Sequence, residues 1–404
     1  MNNPKIRFSN NKYNNFSDWK KQTVLDVFNV VKDRKQIDRT VLTIKQGVGT
    51  IPRDESGIDI SATKNSIDNY KPVKKNDFVI HLRSFQGGFE IANSDGIVSA
   101  AYTILRNKEE ISPLFFKNYF RLPIFIHKKL RFAVEGIRDG KTVNVSLLKD
   151  VEIYTPTIEE QQKIAAFFTA LDEKITLTEK ALALTERTTK AVLEKIYKGE
   201  LRFKQSNGAS FPNWQVRKLD QLLKFQNGIN ASKEQFGTGI KLISVKEVLS
   251  DVPVTYDSIA SSVEVDDEEA KRFSVEYGDI VFQRSSETAE EAGSANVYLD
   301  SRPAVFGGFV IRGKKIADYH PQFMKMALRS KQVRRQIVRL AQGAQHVNIG
   351  QEQLSSVEVR LPCLAEQEKI AELINNFEQK KATLLARLNK LKRLKQAFMQ
   401  QMFV

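Results

Sequence analysis

Cysteine is nearly missing from this chain of 404 residues. Cys363 stands alone, which excludes an internal disulfide and any cysteine-built metal cluster. Histidine is scarce as well. His81, His127, His320 and His346 are scattered without the H-x-x-x-H spacing of a zinc site, so they are expected to serve structure. No apolar run approaches ~18 residues, and a membrane-spanning helix is not expected. The opening stretch MNNPKIRFSNNKYNN is polar and has no apolar signal core, which makes a cytoplasmic protein the expectation. Gly47-Val48-Gly49 lacks both a third glycine at the right distance and a P-loop lysine, so it reads as a turn.

What is present is charge of one sign. The 63 basic and 48 acidic residues leave a net charge of +15, which suits a polyanionic partner such as nucleic acid. No stretch is a polybasic tail, so the excess belongs to folded surfaces. A composition with 41% apolar and 27% charged residues is that of a globular protein, and the length allows two or three domains, each with its own core.

One pattern occurs twice. Val143–Val145, Val151–Ile153, Pro156 and Glu160–Ala165 read V-N-V … V-E-I … P … E-Q-Q-K-I-A. Val347–Ile349, Val357–Val359, Pro362 and Glu366–Ala371 read V-N-I … V-E-V … P … E-Q-E-K-I-A. Each copy leads into a long stretch without proline. Upstream, F-S-D-W at Phe16–Trp19 is echoed by F-P-N-W at Phe211–Trp214, and Trp19 and Trp214 are the chain's only tryptophans. Duplication on this scale sets the architecture: one unit, a globular domain followed by a helix, used twice.

The stretch from Glu159 to Lys198 contains neither glycine nor proline. Ile164, Phe168, Leu171, Ile175, Thr178, Leu182, Thr185, Thr189, Val192 and Ile196 follow a 4-3-4-3 spacing, a heptad seam. Leu177–Thr178–Glu179 recurs as Leu184–Thr185–Glu186, and Gly199 is a C-terminal stop. The equivalent positions of the second copy are Ile370, Ile374, Phe377, Lys381, Leu384, Leu388, Leu391, Lys395, Phe398 and Met402. A helix of this length spans ~60 Å, too long to bury its stripe on one small domain. The arms are therefore expected to pack on each other. An antiparallel pairing keeps the two domains from colliding and makes the arms a spacer.

The regions before the arms hold short alternating apolar runs followed by helical patterns. In the first these are Val41–Ile44, Phe78–Leu82 and Ile97–Leu105, then helix near Pro113–Phe120 and Pro123–Phe132. In the second they are Leu219–Phe225, Leu242–Val245, Asp279–Phe282 and Val305–Ile311, then a helix from Pro321 to Leu340. Strands before helices indicate α+β domains. The halves diverge in their loops, as Ser84–Asn93 against Ser286–Ala295 shows, so one scaffold presents two surfaces.

Candidate DNA contacts sit in those loops, because Arg suits guanine and Gln suits adenine in the major groove. In the first half they are Lys45, Gln46, Arg83, Ser84, Gln86, Arg138, Lys141 and Thr142. In the second they are Lys246, Gln283, Arg284, Ser285, Gln342, Gln345 and His346. A basic helix with Lys325, Arg329, Lys331, Arg334, Arg335 and Arg339 is placed to follow phosphates or to be an ordinary solvated face. The acidic run Asp266–Glu269 is expected to stay off DNA.

The paired P-x3-E-Q-x-K-I-A entries, the V-N element before each, the tryptophan near each domain start and the two heptad helices resemble the specificity subunit of type I restriction-modification systems. The resemblance covers essentially the whole chain. It implies an α+β fold of two similar target-recognition domains joined by two long helices in an antiparallel coiled coil with pseudo-two-fold symmetry. The segments are 1–157 for the first recognition domain, 158–202 for the first arm, 203–361 for the second domain and 362–404 for the second arm. The implied role is non-catalytic: double-stranded DNA is read at a bipartite, asymmetric site, while partner chains methylate adenine or translocate and cut. Two modification subunits and restriction/translocase subunits are the expected partners. S-adenosylmethionine, ATP and magnesium are expected only on those chains, since no Asn/Asp-Pro-Pro-aromatic motif or nucleotide site occurs here. No metal is assigned to this one. The competing expectations are a coiled-coil scaffold that does not read DNA and a lone nuclease, for which no acidic metal cluster can be placed.

Overall fold

The computed structural model describes residues 3–9, 16–33, 40–57, 67, 69–80, 89–135, 142–343 and 346–404. It divides into two compact units, Met1–Lys180 with Ala386–Val404, and Ala181–Leu385. The division runs through both arms, so each unit comprises a globular domain and a part of each arm.

Unit 1 is built on a four-stranded antiparallel sheet in the order Phe28–Val30, Thr103–Asn107, Phe78–Ile80, Phe89–Ile91. Its apolar strand faces and the helix Pro113–Tyr119 enclose a phenylalanine core. Phe28, Phe78, Phe89, Phe116, Phe120 and Phe125 meet largely edge-to-face at 4.8–5.6 Å between centroids, the arrangement the ring quadrupole favours. The expected helix over Pro123–Phe132 is irregular, a π turn at Phe125–Lys129 followed by a 3₁₀ turn at Leu130–Ala133.

Unit 2 repeats the sheet order with Leu223–Asn227, Val310–Lys315, Ile280–Gln283 and Ala295–Val297. It adds a three-stranded sheet of Ser261–Val263, Phe236–Ile243 and Val305–Phe306. The helix expected from Pro321 to Leu340 is two helices, Pro321–Arg329 and Lys331–Leu340. Ser330 breaks it: its backbone is extended and its hydroxyl accepts from Val333 N, capping the second helix.

The arms are helices Ile158–Lys198 and Leu364–Gln401. Their predicted seam lies inward. Ile164, Phe168, Ile196, Ile370, Ile374 and Leu388 are buried, while Leu171, Ile175, Leu182, Val192, Phe377, Leu384, Leu391 and Phe398 are half-buried. Leu177 and Leu184, outside the 4-3 spacing, are exposed. Within unit 1 Asp172 pairs with Lys395 at 2.5 Å and Glu179 with Lys392 at 2.7 Å. Within unit 2 Glu186 pairs with Lys381 at 2.9 Å, and Ile196 shares a core with Ile370 and Ile374. One arm's numbering rises as the other's falls, so the antiparallel pairing is borne out. The two seam lysines, Lys381 and Lys395, keep their ammonium groups at the rim. These exposed pairs contribute only ~0.5 kcal/mol each, and the apolar seam carries the association.

The repeated motif is a clamp that fastens each arm to its own domain. Glu160, fully buried, accepts from Arg7 Nε at 3.0 Å, Arg7 Nη2 at 2.7 Å and Trp19 Nε1 at 3.2 Å. Glu366, equally buried, accepts from Arg202 Nε at 3.1 Å, Arg202 Nη2 at 2.7 Å and Trp214 Nε1 at 3.1 Å. Gln161 accepts from Ser112 N and donates to Pro156 O, as Gln367 accepts from His320 N and donates to Pro362 O. Lys163 and Lys369 each donate to a main-chain oxygen and lie over Phe16 and Phe211. Ile164, Ala165, Ile370 and Ala371 are buried. Every residue of E-Q-x-K-I-A that recurs thus has the same partner type twice.

Candidate nucleic-acid interface

In unit 2 several chain segments converge at one edge of the sheets, and close backbone approach brings them there. Gly307 N donates to Ile243 O at 3.0 Å, Ile229 N to Phe306 O at 2.9 Å and Gly228 N to Val310 O at 3.2 Å. A Cβ on Gly228 would lie 2.2 Å from Gly307 O and 2.5 Å from Phe306 O, both main-chain atoms, so only glycine fits there, while one on Gly308 would have to displace the Asn230 side chain. The turn Gly307–Gly308 throws Phe309 outward, where it is 69% exposed.

The V-N element closes the opposite side. Ser285–Ser286 pairs antiparallel with Val347–Asn348, and Gln342 and Asn348 exchange main-chain bonds at 2.9 and 2.7 Å. Asn348 Nδ2 donates to His346 O at 3.0 Å, which holds the loop bearing the imidazole. Unit 1 uses its asparagine in a related way: Asn144 N donates to Ala133 O, its Oδ1 accepts from Ser146 N, and its Nδ2 donates to Glu135.

Between these segments lies an open groove of about 470 Å³ to which Gln283, Ser285 and His346 all contribute. Lys246, exposed, follows Val245, which also lines it. Gln342 is exposed beside the same strand pair. Arg284 is half-buried, with Nη1 3.4 Å from Gly308 O. Gln283 differs from its expected form. It is only 4% exposed, and its amide nitrogen is committed to Ser285 O at 2.9 Å, so it does not project as a free two-pronged reader of adenine. The acceptor Oε1 has no hydrogen-bond partner.

In unit 1 Lys45 and Gln46 are exposed at the tip of the hairpin Leu42–Lys45 and Gly49–Pro52. Gly47, at φ +78°, makes the turn. Its N–H donates to Glu90 Oε1 at 2.7 Å, and the buried Glu90 is paired with Arg121 at 2.7 Å. Thr142 lies in the strand Thr142–Val143. Arg83, Ser84, Gln86, Arg138, Lys141 and Gln345 lie outside the described residues.

The basic helix needs correction. Lys325, Arg329 and Arg334 do not face outward. Lys325 Nζ donates to Asp251 O. Arg329 donates to Ala295 O and Ser250 O, and Arg334 to Gly293 O, Glu290 O and Ala292 O. Ser250, Asp251, Glu290, Ala292 and Gly293 lie in loops and Ala295 begins a strand, and the inward cations help to satisfy their carbonyls. Burial pushes the Lys325 ammonium down to about 8, helped by Arg329, and lowers Arg329 and Arg334. Only Lys331, Arg335 and Arg339 remain exposed. The acidic run caps its own short helix, with Asp266 Oδ1 accepting from Glu269 N at 2.7 Å.

No described helix is long and apolar enough to cross a membrane, and no described cluster of His, Cys, Asp and Glu is arranged to hold a metal.

Two residues essential to the clamp, Arg7 and Arg202, were not picked out from sequence. The available signal was the shared Arg-Phe pair, Arg7–Phe8 and Arg202–Phe203, each upstream of a tryptophan. Phe309, Glu287 and Glu291 in the groove were likewise not singled out.

The sequence profile of the type I restriction modification DNA specificity domain matches residues 16–187 and again 212–393. The chain belongs to that family. It is 24% identical over 219 residues to a Methanocaldococcus jannaschii protein assigned as the MjaX type I restriction enzyme specificity subunit, a match covering 52% of this chain and 50% of that one. It is 22% identical over 321 residues to the MjaVIII specificity subunit of the same organism, covering 76% and 73%. The match to the first relative thus spans half that protein's length. In structure the chain is similar to the S subunit of the type I restriction-modification system from M. genitalium. The TM-score is 0.55 at 14% identity, covering 100% of this chain and 99% of that one. That likeness supports the common fold: two α+β domains and two long paired helices.

Proposed function

We propose that this chain is the DNA-reading subunit of a type I restriction-modification assembly. It binds double-stranded DNA at a bipartite, asymmetric site, one half-site to each unit, and recruits the chains that modify and restrict. It carries no catalysis itself. Adenine methylation, with S-adenosylmethionine, and DNA translocation and cleavage, with ATP and magnesium, belong to those partners, of which two are modification subunits. The place of work is the cytoplasm, where its DNA lies.

The observation that carries this reading is the contrast within the duplication. The clamp, the sheet order and the arm entry are the same in both units, while the exposed edges differ among the described residues: a hairpin tip with Lys45 and Gln46 in one, a groove with Gln283, Ser285 and His346 in the other. A frame used twice with unlike edges suits two unlike half-sites. The net charge of +15 suits a phosphate backbone.

Selection of duplexes from a random library by the full chain tests it. The expected product is two unlike sequence blocks separated by an unread stretch of fixed length. Replacement of loop residues in unit 2 is expected to change one block and leave the other. No enrichment, or one contiguous block, would overturn the proposal.

A further inference from the structure

The groove of unit 2 has a chemical character that the charge of the whole chain does not foretell. Among its described lining residues there is no lysine or arginine. Its rim carries the exposed carboxylates Glu287 and Glu291, and Glu291 Oε2 accepts from the Ser286 hydroxyl at 3.1 Å. Its floor carries Gln283. That residue cannot swing outward, because its N–H donates to Ser294 O at 2.8 Å, its main-chain oxygen accepts from Gly293 N at 2.9 Å, and its amide nitrogen is taken by Ser285 O. Its unpartnered acceptor Oε1 is buried beneath the groove and is not presented to a ligand, so the acceptors at the surface are the carboxylates of the rim.

Phe309 lines the same groove. Phe309 is held by its backbone, its oxygen accepting from Arg284 N at 2.8 Å, yet its ring is left to solvent. A single exposed ring is ordinary on a protein surface; what marks Phe309 is that it lines a groove on a turn whose backbone is fixed. His346 supplies the groove's exposed ring nitrogens.

A groove of acceptors beside a ring repels phosphate, so it suits a base edge rather than the backbone. In the major groove an A·T pair presents the adenine N6 amine, a donor, and the thymine methyl group, while a G·C pair presents an amine but no methyl. We propose that this groove reads an A·T pair within the half-site of unit 2, with Phe309 against the thymine methyl and the Glu287 and Glu291 carboxylates toward the adenine amine. Phe309 is then a specificity-determining residue. The inference rests on the reading that the chain binds duplex DNA.

The test uses the duplex enriched by the full chain, with each thymine replaced in turn by uracil, which deletes only the methyl group. At one thymine the wild-type chain is expected to bind about fourfold more weakly, the transfer value of one buried methyl-sized group. Phe309→Ala is expected to bind the thymine and uracil duplexes equally, and Phe309→Leu to keep part of the difference. Replacement of the paired adenine by purine, which deletes the amine, is expected to weaken the wild type and Phe309→Ala alike. Phe309 lies outside the core, so the variants fold, and tryptophan fluorescence checks that they do. Sequence-specific binding with no thymine sensitive to methyl loss overturns this inference alone. So does a sensitivity that persists in Phe309→Ala. Absence of any sequence-specific binding by the wild-type chain overturns the functional reading and this inference with it.

Discussion

Replacing Glu160 by glutamine keeps the side chain's shape and removes its charge and one acceptor oxygen. The buried carboxylate takes two hydrogen bonds from Arg7 and one from Trp19, whose ring is 2% exposed. A bond to a charged group contributes ~1.5–3 kcal/mol when its loss leaves a buried partner unsatisfied. The three are not additive, and Arg7 keeps 17% of its side-chain surface in water. The expected loss is therefore ~3 kcal/mol, near the lower end for breaking a buried pair from one side. The assay is built into the chain, because Trp19 and Trp214 are its only tryptophans and each belongs to one clamp. In a Trp214→Phe background the emission of Trp19 follows the first clamp through urea unfolding, and Trp19→Phe gives the converse. Glu160→Gln is expected to destabilise the Trp19-reported transition by ~3 kcal/mol and to release residues 3–9 to protease. Glu366→Gln is expected to act on the Trp214 transition by less. Arg202 stays tethered close behind Gly199 of its own arm, whereas Arg7 is seated beside the second arm through the Ile6 N to Gln401 O bond of 3.0 Å. A change below ~0.5 kcal/mol, the range of a surface substitution, or an effect confined to the other tryptophan, would refute the clamp.

Lys325→Met is expected to stabilise unit 2 at pH 7 by ~2 kcal/mol, the difference between the burial cost of the ammonium and its bond to Asp251 O. The folded-state value of about 8 lies below the ordinary lysine value, so the charged form costs stability below pH 8, and that cost fades as pH rises toward the unfolded value. The variant's advantage should therefore shrink between pH 8 and 10.5, and a gain independent of pH in urea titrations would contradict the assignment. Gly228→Ala should destabilise unit 2 by ~2 kcal/mol through overpacking, since its Cβ meets Gly307 O and Phe306 O. It should also blunt sequence preference in duplex selection by shifting the Phe309 turn, and binding indistinguishable from wild type would count against that turn's role.

The frame was legible because it is periodic and repeated. Ile164, Phe168, Ile370 and Leu388 announced the seam by spacing alone, and E-Q-x-K-I-A announced the clamp by occurring twice. Its meaning was not legible, because Glu160 and Arg7 are 153 residues apart and nothing local pairs them. Pro321 to Leu340 read as one helix because its periodicity runs through Ser330, and a serine's competition between helix interior and cap is settled by tertiary packing. The same periodicity placed six cations on one helix without saying which faced in. Lys325, Arg329 and Arg334 turned toward carbonyls of loops around residues 250 and 290–295, partners that no local pattern indicates. For the candidate interface, composition singled out Gln283, Ser285 and His346, which the fold brings to one groove. Phe309 escaped notice because an aromatic beside two glycines reads as an ordinary strand end.

The two arginine strands differ in one respect. Arg202 arrives on the chain that has just left the first arm, and Leu201 N reaches back to Lys195 O. Arg7 arrives from elsewhere in the sequence, and Ile6 N makes the corresponding reach to Gln401 O. Nature has thus already run the comparison between a spliced junction and an unspliced one within a single molecule. Peptide continuity is not what seats this strand. A scission at the exposed Gly199–Glu200 bond, the place where the first junction has no peptide bond, would leave the second junction fastened by the forces that suffice for the first.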